Sequence, residues 1–164
     1  MIKPVEAAPL LDEVRKRMGR VPNMTKVMAN SPAVLEGYLG LAGALKRGAL
    51  PAPTSERIAL AVGAANDCGY CVAAHTFTGT RVAKLSAAEI EAAKAGTSAD
   101  AKEAAAVAFA RDLTESRGKA DPSAALAAGW TEEQILEIIA LVALQTLTNY
   151  VNKVADTEND WPAP

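Results

Sequence analysis

Hydrophobic and polar residues alternate along this chain with the period of α-helices. Near the start, apolar side chains recur three and four positions apart and end at a glycine, in the order Leu10, Leu11, Val14, Met18 and Gly19. Ser31-Pro32 then supplies a cap and a first-turn proline, and the apolar face of the next helix runs from Val34 to Leu45. The first third of the chain therefore predicts short helices.

The middle of the chain predicts two helices with different surroundings. Thr54-Ser55 caps the run ERIALAVGAA, which is apolar on nearly every side, so this helix is expected to be buried on most of its faces. Asn66-Asp67 marks a turn, and the following stretch CGYCVAAHTFTGTRVAKL has no proline and carries apolar residues at helical spacing. A second helix is predicted to begin near Cys68.

Capping signals divide the rest of the chain into further helices. Ser86 and Glu89 have the spacing of a capping box for a short helix, and a longer one is predicted over 100–116 and a short one over 122–128.

Thr131 and Gln134 have the same capping-box spacing and predict the start of a last long helix. Its core stripe is predicted to consist of Ile135, Ile138, Ile139, Val142, Leu147 and Val151. The tail DTENDWPAP lacks such a pattern and is expected to be loose.

The composition agrees with an all-α fold, because aromatic residues make up only 4% and alanine is abundant. A chain of 164 residues that is 50% hydrophobic suits one domain over 1–164, a compact single-domain helical bundle with a core of its own. Lys and Arg number 17 and Asp and Glu 19, and a net charge of −2 disfavours nucleic acid as a partner. No apolar stretch predicts a membrane span and no export signal is recognisable, so a cytoplasmic protein is expected.

Five residues carry candidate chemistry: Glu56, Cys68, Tyr70, Cys71 and His75. Two thiols at positions i and i+3 in the first turn of a helix can close and open a disulfide with little backbone movement. The amino end of a helix lowers the pKa of such a cysteine from about 8.5 to roughly 3.5–7.5. His75 lies one turn after Cys71, where a neutral imidazole could take the thiol proton, and Glu56 could orient that imidazole or hold its proton.

Other sites fit these residues less well. Two cysteines and one histidine are too few for a zinc or iron–sulfur site within one chain, so only a metal shared between subunits would remain. Covalent haem attachment needs a histidine where Val72 stands. No metal or cofactor is therefore predicted. A purely structural interpretation makes the cysteines small buried hydrophobes, His75 a core histidine and Glu56 a partner of the helix dipole.

The five residues resemble the motif of the alkylhydroperoxidase D and carboxymuconolactone decarboxylase superfamily, E-x11-C-x-[HY]-C-x3-H, at every position. The segments VPNMTKVMANSPAVLEGYLGL and LTNYVNKVAD resemble the entry and closing helices of its peroxidase-related branch, so the resemblance covers a core of about 21–156. It implies an all-helical fold of the alkylhydroperoxidase D-like type and homo-oligomers, commonly trimers or hexamers.

The same resemblance implies roles for the site residues. Cys71 would attack a hydroperoxide, Cys68 would resolve the sulfenic acid into a disulfide, and Glu56 and His75 would relay protons. A dithiol would then reduce the disulfide, and the resemblance suggests that a lipoyl-bearing protein supplies it. Tyr70 stands where other members have histidine; it could donate a hydrogen bond to the leaving oxygen, but its high pKa makes it a poor base.

Three functions from different classes remain open at this stage. The leading hypothesis is a thiol-dependent hydroperoxidase or disulfide reductase that uses Cys68 and Cys71. The second is lactone decarboxylation, the other activity that the superfamily implies, which does not need the cysteine pair. The third is a non-catalytic helical oligomer whose thiols sense oxidants or join subunits.

Overall fold

The chain folds into α-helices joined by short connections. The computed structural model describes residues 2–162 and contains no β-strand within them, which confirms the predicted all-α class. The helices are α1 (Pro9–Met18), α2 (Asn23–Met28), α3 (Pro32–Leu45), α4 (Ala52–Ala65), α5 (Gly69–Arg81), α6 (Ala87–Lys94), α7 (Ala101–Glu115), α8 (Ser123–Ala127) and α9 (Glu132–Ala155).

Helix α4 is the centre of the bundle and contacts α5, α6, α7 and α9. Its residues 58–63 are all buried, which confirms the prediction from the run of apolar residues on every side. Gly63 allows α5 to come close, because a Cβ built there would already lie 3.5 Å from the Cβ of Cys71 and from a methyl group of Val72. The cysteine-bearing start of α5 is thereby packed directly against the central helix.

Helix α4 begins earlier than predicted, at Ala52, and has no side-chain cap. Prolines at 51 and 53 suit a first helical turn, since the missing N–H groups would have no partner there. Thr54, predicted as a cap, instead lies inside the first turn and its hydroxyl donates to Glu103 on α7 at 2.9 Å. The prediction of a Thr54-Ser55 cap is therefore wrong, and Thr54 joins two helices.

The capping box predicted for α6 is formed only in part. The hydroxyl of Ser86 accepts from the backbone N–H of Glu89, as expected. The carboxylate of Glu89 turns elsewhere and accepts from Arg57, Ser98 and the backbone N–H of Ala99 at 2.7–2.9 Å. The Ala99 N–H, followed by the Arg57 and Ser98 hydrogen bonds, lowers the pKa of Glu89 to about 2. This carboxylate holds α4, α6 and the start of α7 together.

Helix α9 carries the predicted capping box between Thr131 and Gln134. Ile135, Ile138 and Val142 lie in the core as predicted, but Ile139 and Leu147 are 39% and 40% exposed. The predicted stripe was too wide, because the bundle covers one side of α9 and leaves the other side uncovered.

Among the described residues α9 alone is long and apolar enough to cross a membrane. It packs against α2, α3, α4, α5, α7 and α8, and its inner face is buried in the bundle. The sequence predicted no membrane span, whereas α9 meets the criteria of length and composition because the same apolar residues pack within the bundle.

The chain after α9 is ordered, contrary to the prediction of a loose tail. The ring of Trp161 lies 5.7 Å from the ring of Phe77, and the guanidinium of Arg20 lies 4.4 Å from the Trp161 ring centre. Asp160 accepts a hydrogen bond from Tyr70 and pairs with Arg20. We call residues 156–162 the C-terminal strap; the last two residues of the tail, 163 and 164, lie outside the described part.

Candidate active site

The cysteine pair lies at the junction of α4 and α5. Cys68 is the N-cap residue of α5, and its Sγ accepts a hydrogen bond from the backbone N–H of Cys71 at 3.3 Å. The two residues form a disulfide, with Cα atoms 5.3 Å apart. The spacing predicted that a helix begins at the cysteine pair and that the two sulfurs meet across its first turn, and the structure has both.

Cys71 lies on a cavity of about 560 Å³ between α1, α3, α4, α5, α9 and the C-terminal strap. Cys68 is 2% exposed and does not line this cavity. Much of the cavity wall is apolar, including Met24, Leu45, Leu50, Phe77, Leu141 and Leu144. The space beside Cys71 therefore suits an apolar organic molecule.

Glu56 and His75 form a hydrogen-bonded pair on the same cavity. Nδ1 of His75 lies 2.9 Å from Oε2 of Glu56, and the hydroxyl of Thr78 donates to the same oxygen at 2.6 Å. Nε2 of His75 lies 3.1 Å from Oε1 of Gln145 on α9. Both ring nitrogens thus face acceptor oxygens, an arrangement that suits a protonated imidazolium.

The pKa of His75 reflects opposing effects. Burial lowers it, but the negative charge of Glu56 and the hydrogen bonds to Glu56 and Gln145 outweigh burial, so the pKa is raised above 6.5. The sequence suggested a neutral imidazole that takes the proton of Cys71. Within residues 2–162, however, His75 bonds to Glu56 and Gln145 and makes no hydrogen bond to Cys71. As an imidazolium, His75 donates from Nδ1 to Glu56 and from Nε2 to Gln145, so a turn of the Gln145 side chain away from Nε2 would free that proton for a molecule in the cavity.

Tyr70 is held by the C-terminal strap. Its hydroxyl donates to Oδ1 of Asp160 at 2.8 Å and accepts from the backbone N–H of Met24 at 3.3 Å. Burial raises the pKa of Tyr70 well above 10; the bond from Met24 opposes this and Asp160 reinforces it. The proton that was expected to reach a leaving oxygen is donated to Asp160 in this structure, so Tyr70 joins the strap to the start of α5.

Four polar residues of α9 are buried and had not been singled out in the sequence: Gln145, Thr148, Asn149 and Asn152. Nδ2 of Asn152 donates to Sγ of Cys71 at 3.3 Å. These residues recur three and four positions apart in an otherwise apolar helix. That periodicity of polar residues was the signal in the sequence that could have found them.

Tyr38 on α3 is a further candidate that the sequence left within an apolar stripe. It is buried and lines the cavity. Burial, and then the negative charge of Glu56, raises the pKa of Tyr38 to about 12. Its phenol therefore stays protonated at neutral pH and is able to donate a hydrogen bond into the cavity.

No three His, Cys, Asp or Glu side chains lie close enough together to hold a metal ion in the described range 2–162. The reactive groups on the cavity are a sulfur, an imidazole and a carboxylate. Together they can carry out two-electron thiol chemistry with proton transfer.

The chain is similar to known proteins in sequence and in fold. Residues 32–112 match the Carboxymuconolactone decarboxylase family. The solved structure of the debrominase Bmp8 is 26% identical, with a TM-score of 0.83, and the match covers 98% of this chain and 92% of that one. No match was found among curated proteins.

Two further solved structures share the fold. A peroxidase-related protein from Silicibacter sp. TM1040 is 21% identical with a TM-score of 0.80, over 97% of this chain and 92% of that one. A peroxidase-related protein from Ralstonia eutropha JMP134, described as an alkylhydroperoxidase AhpD core, is 24% identical with a TM-score of 0.81, over 92% and 83%. A match to the Carboxymuconolactone decarboxylase family over residues 32–112 thus lies within a chain whose fold is that of the alkylhydroperoxidase D-like structures.

Proposed function

We propose that this protein is a thiol-dependent peroxidase that reduces organic hydroperoxides with Cys71 and Cys68. The observation that carries the proposal is a sulfur pair in one helical turn, of which Cys71 lines an apolar cavity together with the Glu56–His75 pair. Similarity to a superfamily with peroxidase-related members supports an enzymatic role.

The first step oxidises Cys71. Its thiolate attacks the terminal oxygen of the hydroperoxide, the O–O bond breaks, and the products are a cysteine sulfenic acid and an alkoxide. The alkoxide takes a proton from the imidazolium of His75 and leaves as an alcohol, and His75 regains a proton from solvent. Glu56 holds the imidazolium in place at 2.9 Å.

The second step closes the disulfide. The thiol of Cys68 attacks the sulfenic sulfur of Cys71, the S–S bond forms, and the oxygen leaves as water. An external dithiol then passes two electrons and two protons to the disulfide and becomes a disulfide itself. A lipoyl group suits this step because its two thiols close a ring. The cycle needs a reducing compartment, which the cytoplasm provides.

The cavity favours an organic hydroperoxide over hydrogen peroxide. Its volume of about 560 Å³ and its apolar wall would bury the alkyl part of such a substrate. We expect a higher kcat/KM for cumene hydroperoxide than for hydrogen peroxide.

The test measures consumption of cumene hydroperoxide by reduced protein with excess dihydrolipoamide, for the native chain, Cys71→Ser and Cys68→Ser. Cys71→Ser should lose the reaction with peroxide altogether. Cys68→Ser should keep one rapid oxidation per chain, detectable as a dimedone adduct of the sulfenic acid, and lose steady turnover. Because each variant changes one sulfur atom to oxygen, the two control for each other. Turnover retained in Cys71→Ser would rule the proposal out.

Similarity to the debrominase, which has also been solved in complex with 2,3,4-tribromopyrrole, favours a second candidate, reductive debromination of a bromoaromatic compound. The same thiol pair would serve: the thiolate attacks bromine, the aromatic carbon takes a proton, and the second cysteine displaces bromide as the disulfide forms. In the overall reaction, an aryl bromide and two thiols give an arene, a disulfide and hydrogen bromide. Release of bromide from 2,3,4-tribromopyrrole, in the absence of any peroxide turnover, would replace our first proposal with this one.

Two other outcomes would point away from thiol catalysis. Consumption of a carboxylated lactone by the Cys68→Ser, Cys71→Ser double variant would indicate a decarboxylase. A single oxidation that yields a disulfide between chains on a non-reducing gel would indicate a sensor or a subunit link.

A further inference from the structure

The two sulfurs of the pair have different hydrogen-bond donors. Cys68 Sγ accepts from the backbone at the amino end of α5, where the helix dipole stabilises negative charge. Cys71 Sγ accepts from the side chain of Asn152 on α9. The helix start by itself therefore favours a thiolate at Cys68, which does not line the cavity. Asn152 is the donor to Cys71, the sulfur that lines the cavity.

Asn152 is 4% exposed, in the last third of α9. Its Oδ1 is buried and has no hydrogen-bond partner in the described part of the chain, so the amide has the sulfur of Cys71 as its polar contact. A buried amide with half of its hydrogen-bonding capacity unused destabilises a fold compared with an apolar side chain of the same size. Packing alone therefore does not account for asparagine here.

We propose that Asn152 is a catalytic residue whose amide N–H holds negative charge on the sulfur of Cys71. A disulfide sulfur is a weak acceptor, whereas a thiolate is charged and accepts strongly, so the hydrogen bond strengthens when the pair is reduced. Asn152 thereby makes the cavity-facing cysteine the nucleophile and leaves Cys68 as the resolving thiol. The inference rests on the proposed function, because it takes Cys71 as the attacking sulfur.

Every variant used in the test keeps the other charged and titratable side chains around Cys71. Glu56 on α4, His75 on α5 and Tyr38 on α3 line the same cavity. Tyr70, also on the cavity, is bonded to Asp160 of the strap. The cationic side chains on the cavity are Arg17, Arg20 and Lys46. Changes at Asn152 leave all of these side chains in place, so a change in Cys71 reactivity reports the lost donor.

The experiment follows the rate of alkylation of Cys71 by iodoacetamide against pH, in a Cys68→Ser background that leaves one thiol. Asn152→Leu removes the donor but keeps the number and branching of the heavy atoms, and Asn152→Asp keeps the shape but places a carboxylate beside the sulfur. The matched control is Asn149→Leu, because Asn149 is equally buried on α9 but is bonded to Asn66 instead of sulfur. Circular dichroism and thermal melting establish that each variant is folded.

We expect Asn152→Leu to move the midpoint of alkylation up by about one pH unit, which is about a tenfold slower reaction below the midpoint. Asn152→Asp should move it further through charge repulsion, and Asn149→Leu should leave it in place. Unchanged midpoints in folded Asn152→Leu and Asn152→Asp would overturn the inference. The titration uses no peroxide, so a shifted midpoint in a protein without peroxidase turnover would support the role of Asn152 and count against the proposed function alone.

Discussion

His75 is the only histidine of the chain, so its protonation state can be followed directly. Its ring is held between Glu56 and Gln145, and its raised pKa is a balance of burial against the charge and hydrogen bonds of these neighbours. The proposed acid step depends on this balance. It also makes stability depend on pH, since a raised pKa means that the folded state binds the proton more tightly than the unfolded chain.

We predict that Glu56→Gln lowers the NMR titration midpoint of His75 below 6.5. Removing the carboxylate charge leaves burial as the largest effect, and burial disfavours the imidazolium. Glu36→Gln, at an exposed position of α3, is the matched control and should leave the midpoint where it is. A midpoint that is the same in Glu56→Gln as in the native chain would contradict the assigned electrostatic coupling.

The sign of the pH effect on stability follows from the same shift. The contribution of the Glu56–His75 pair to the free energy of unfolding is fully present below about pH 6.5 and is lost as the pH rises through the raised pKa of His75. As the pH rises from below 6.5 through the raised pKa of His75, the difference in unfolding free energy between the native chain and Glu56→Gln should therefore shrink. Urea unfolding at a series of pH values measures it; a difference that grows with pH would show the opposite coupling.

The C-terminal strap has no helical hydrogen bonds of its own and is held by side chains of other elements. Asp160 accepts from Tyr70 at the start of α5 and pairs with Arg20, and Trp161 packs on Phe77 and lines the cavity. The strap therefore covers part of the approach to Cys71.

Trp161→Ala is expected to open that approach. Loss of the ring contact and of the cation–π contact should lower the unfolding free energy by about 1–3 kcal/mol. In the reduced protein, alkylation of Cys71 by a bulky maleimide should become several-fold faster. Glu158→Ala, an exposed position in the same strap, serves as the control. Equal maleimide rates in Trp161→Ala and the native chain would show that the strap does not limit access.

A long apolar stripe stays uncovered on the outside of α9. Its members follow one another at helical spacing and are exposed: Leu136, Ile139, Leu147, Tyr150 and Val154. Such a continuous apolar surface on a helix is typical of an interface between protein chains. Together with the superfamily resemblance, it leads us to expect a homo-oligomer that buries this stripe against another copy.

Light scattering should therefore give a mass that is a multiple of 17.0 kDa for the native chain. Leu136→Glu should reduce this mass to that of a smaller species, because a charge buried in an apolar interface is left without a partner. It lies near the amino end of α9, where a carboxylate does not disturb the helix. Leu126→Glu on α8 makes the same change off the stripe and should keep the native mass. A native chain that is monomeric would refute the expectation.

The sequence predicted most helices because their signals are local. The capping box at Thr131 and the glycine after α1 act within one turn, and the structure has both. The Cys68–Cys71 contact was predictable for the same reason, since both residues share a single helical turn. Thr54 and Glu89 departed from their predicted caps because their partners, Glu103 on α7 and Ala99 in the loop before it, come from elsewhere in the chain.

By itself, the sequence determined the all-α class, the order of the helices and a short list of candidate site residues, because propensity, capping and short spacing need no knowledge of distant neighbours. Only the tertiary structure decided how those residues are used. Gln145 meets His75 and Asn152 meets Cys71 across 70 and 81 positions of the chain, and Asp160 meets Tyr70 across 90. These contacts depend on the rotation of α9 against α5 and on the path of the strap. The raised pKa of His75 and the hydrogen bond from Asn152 to the cavity-facing sulfur depend on the same tertiary arrangement.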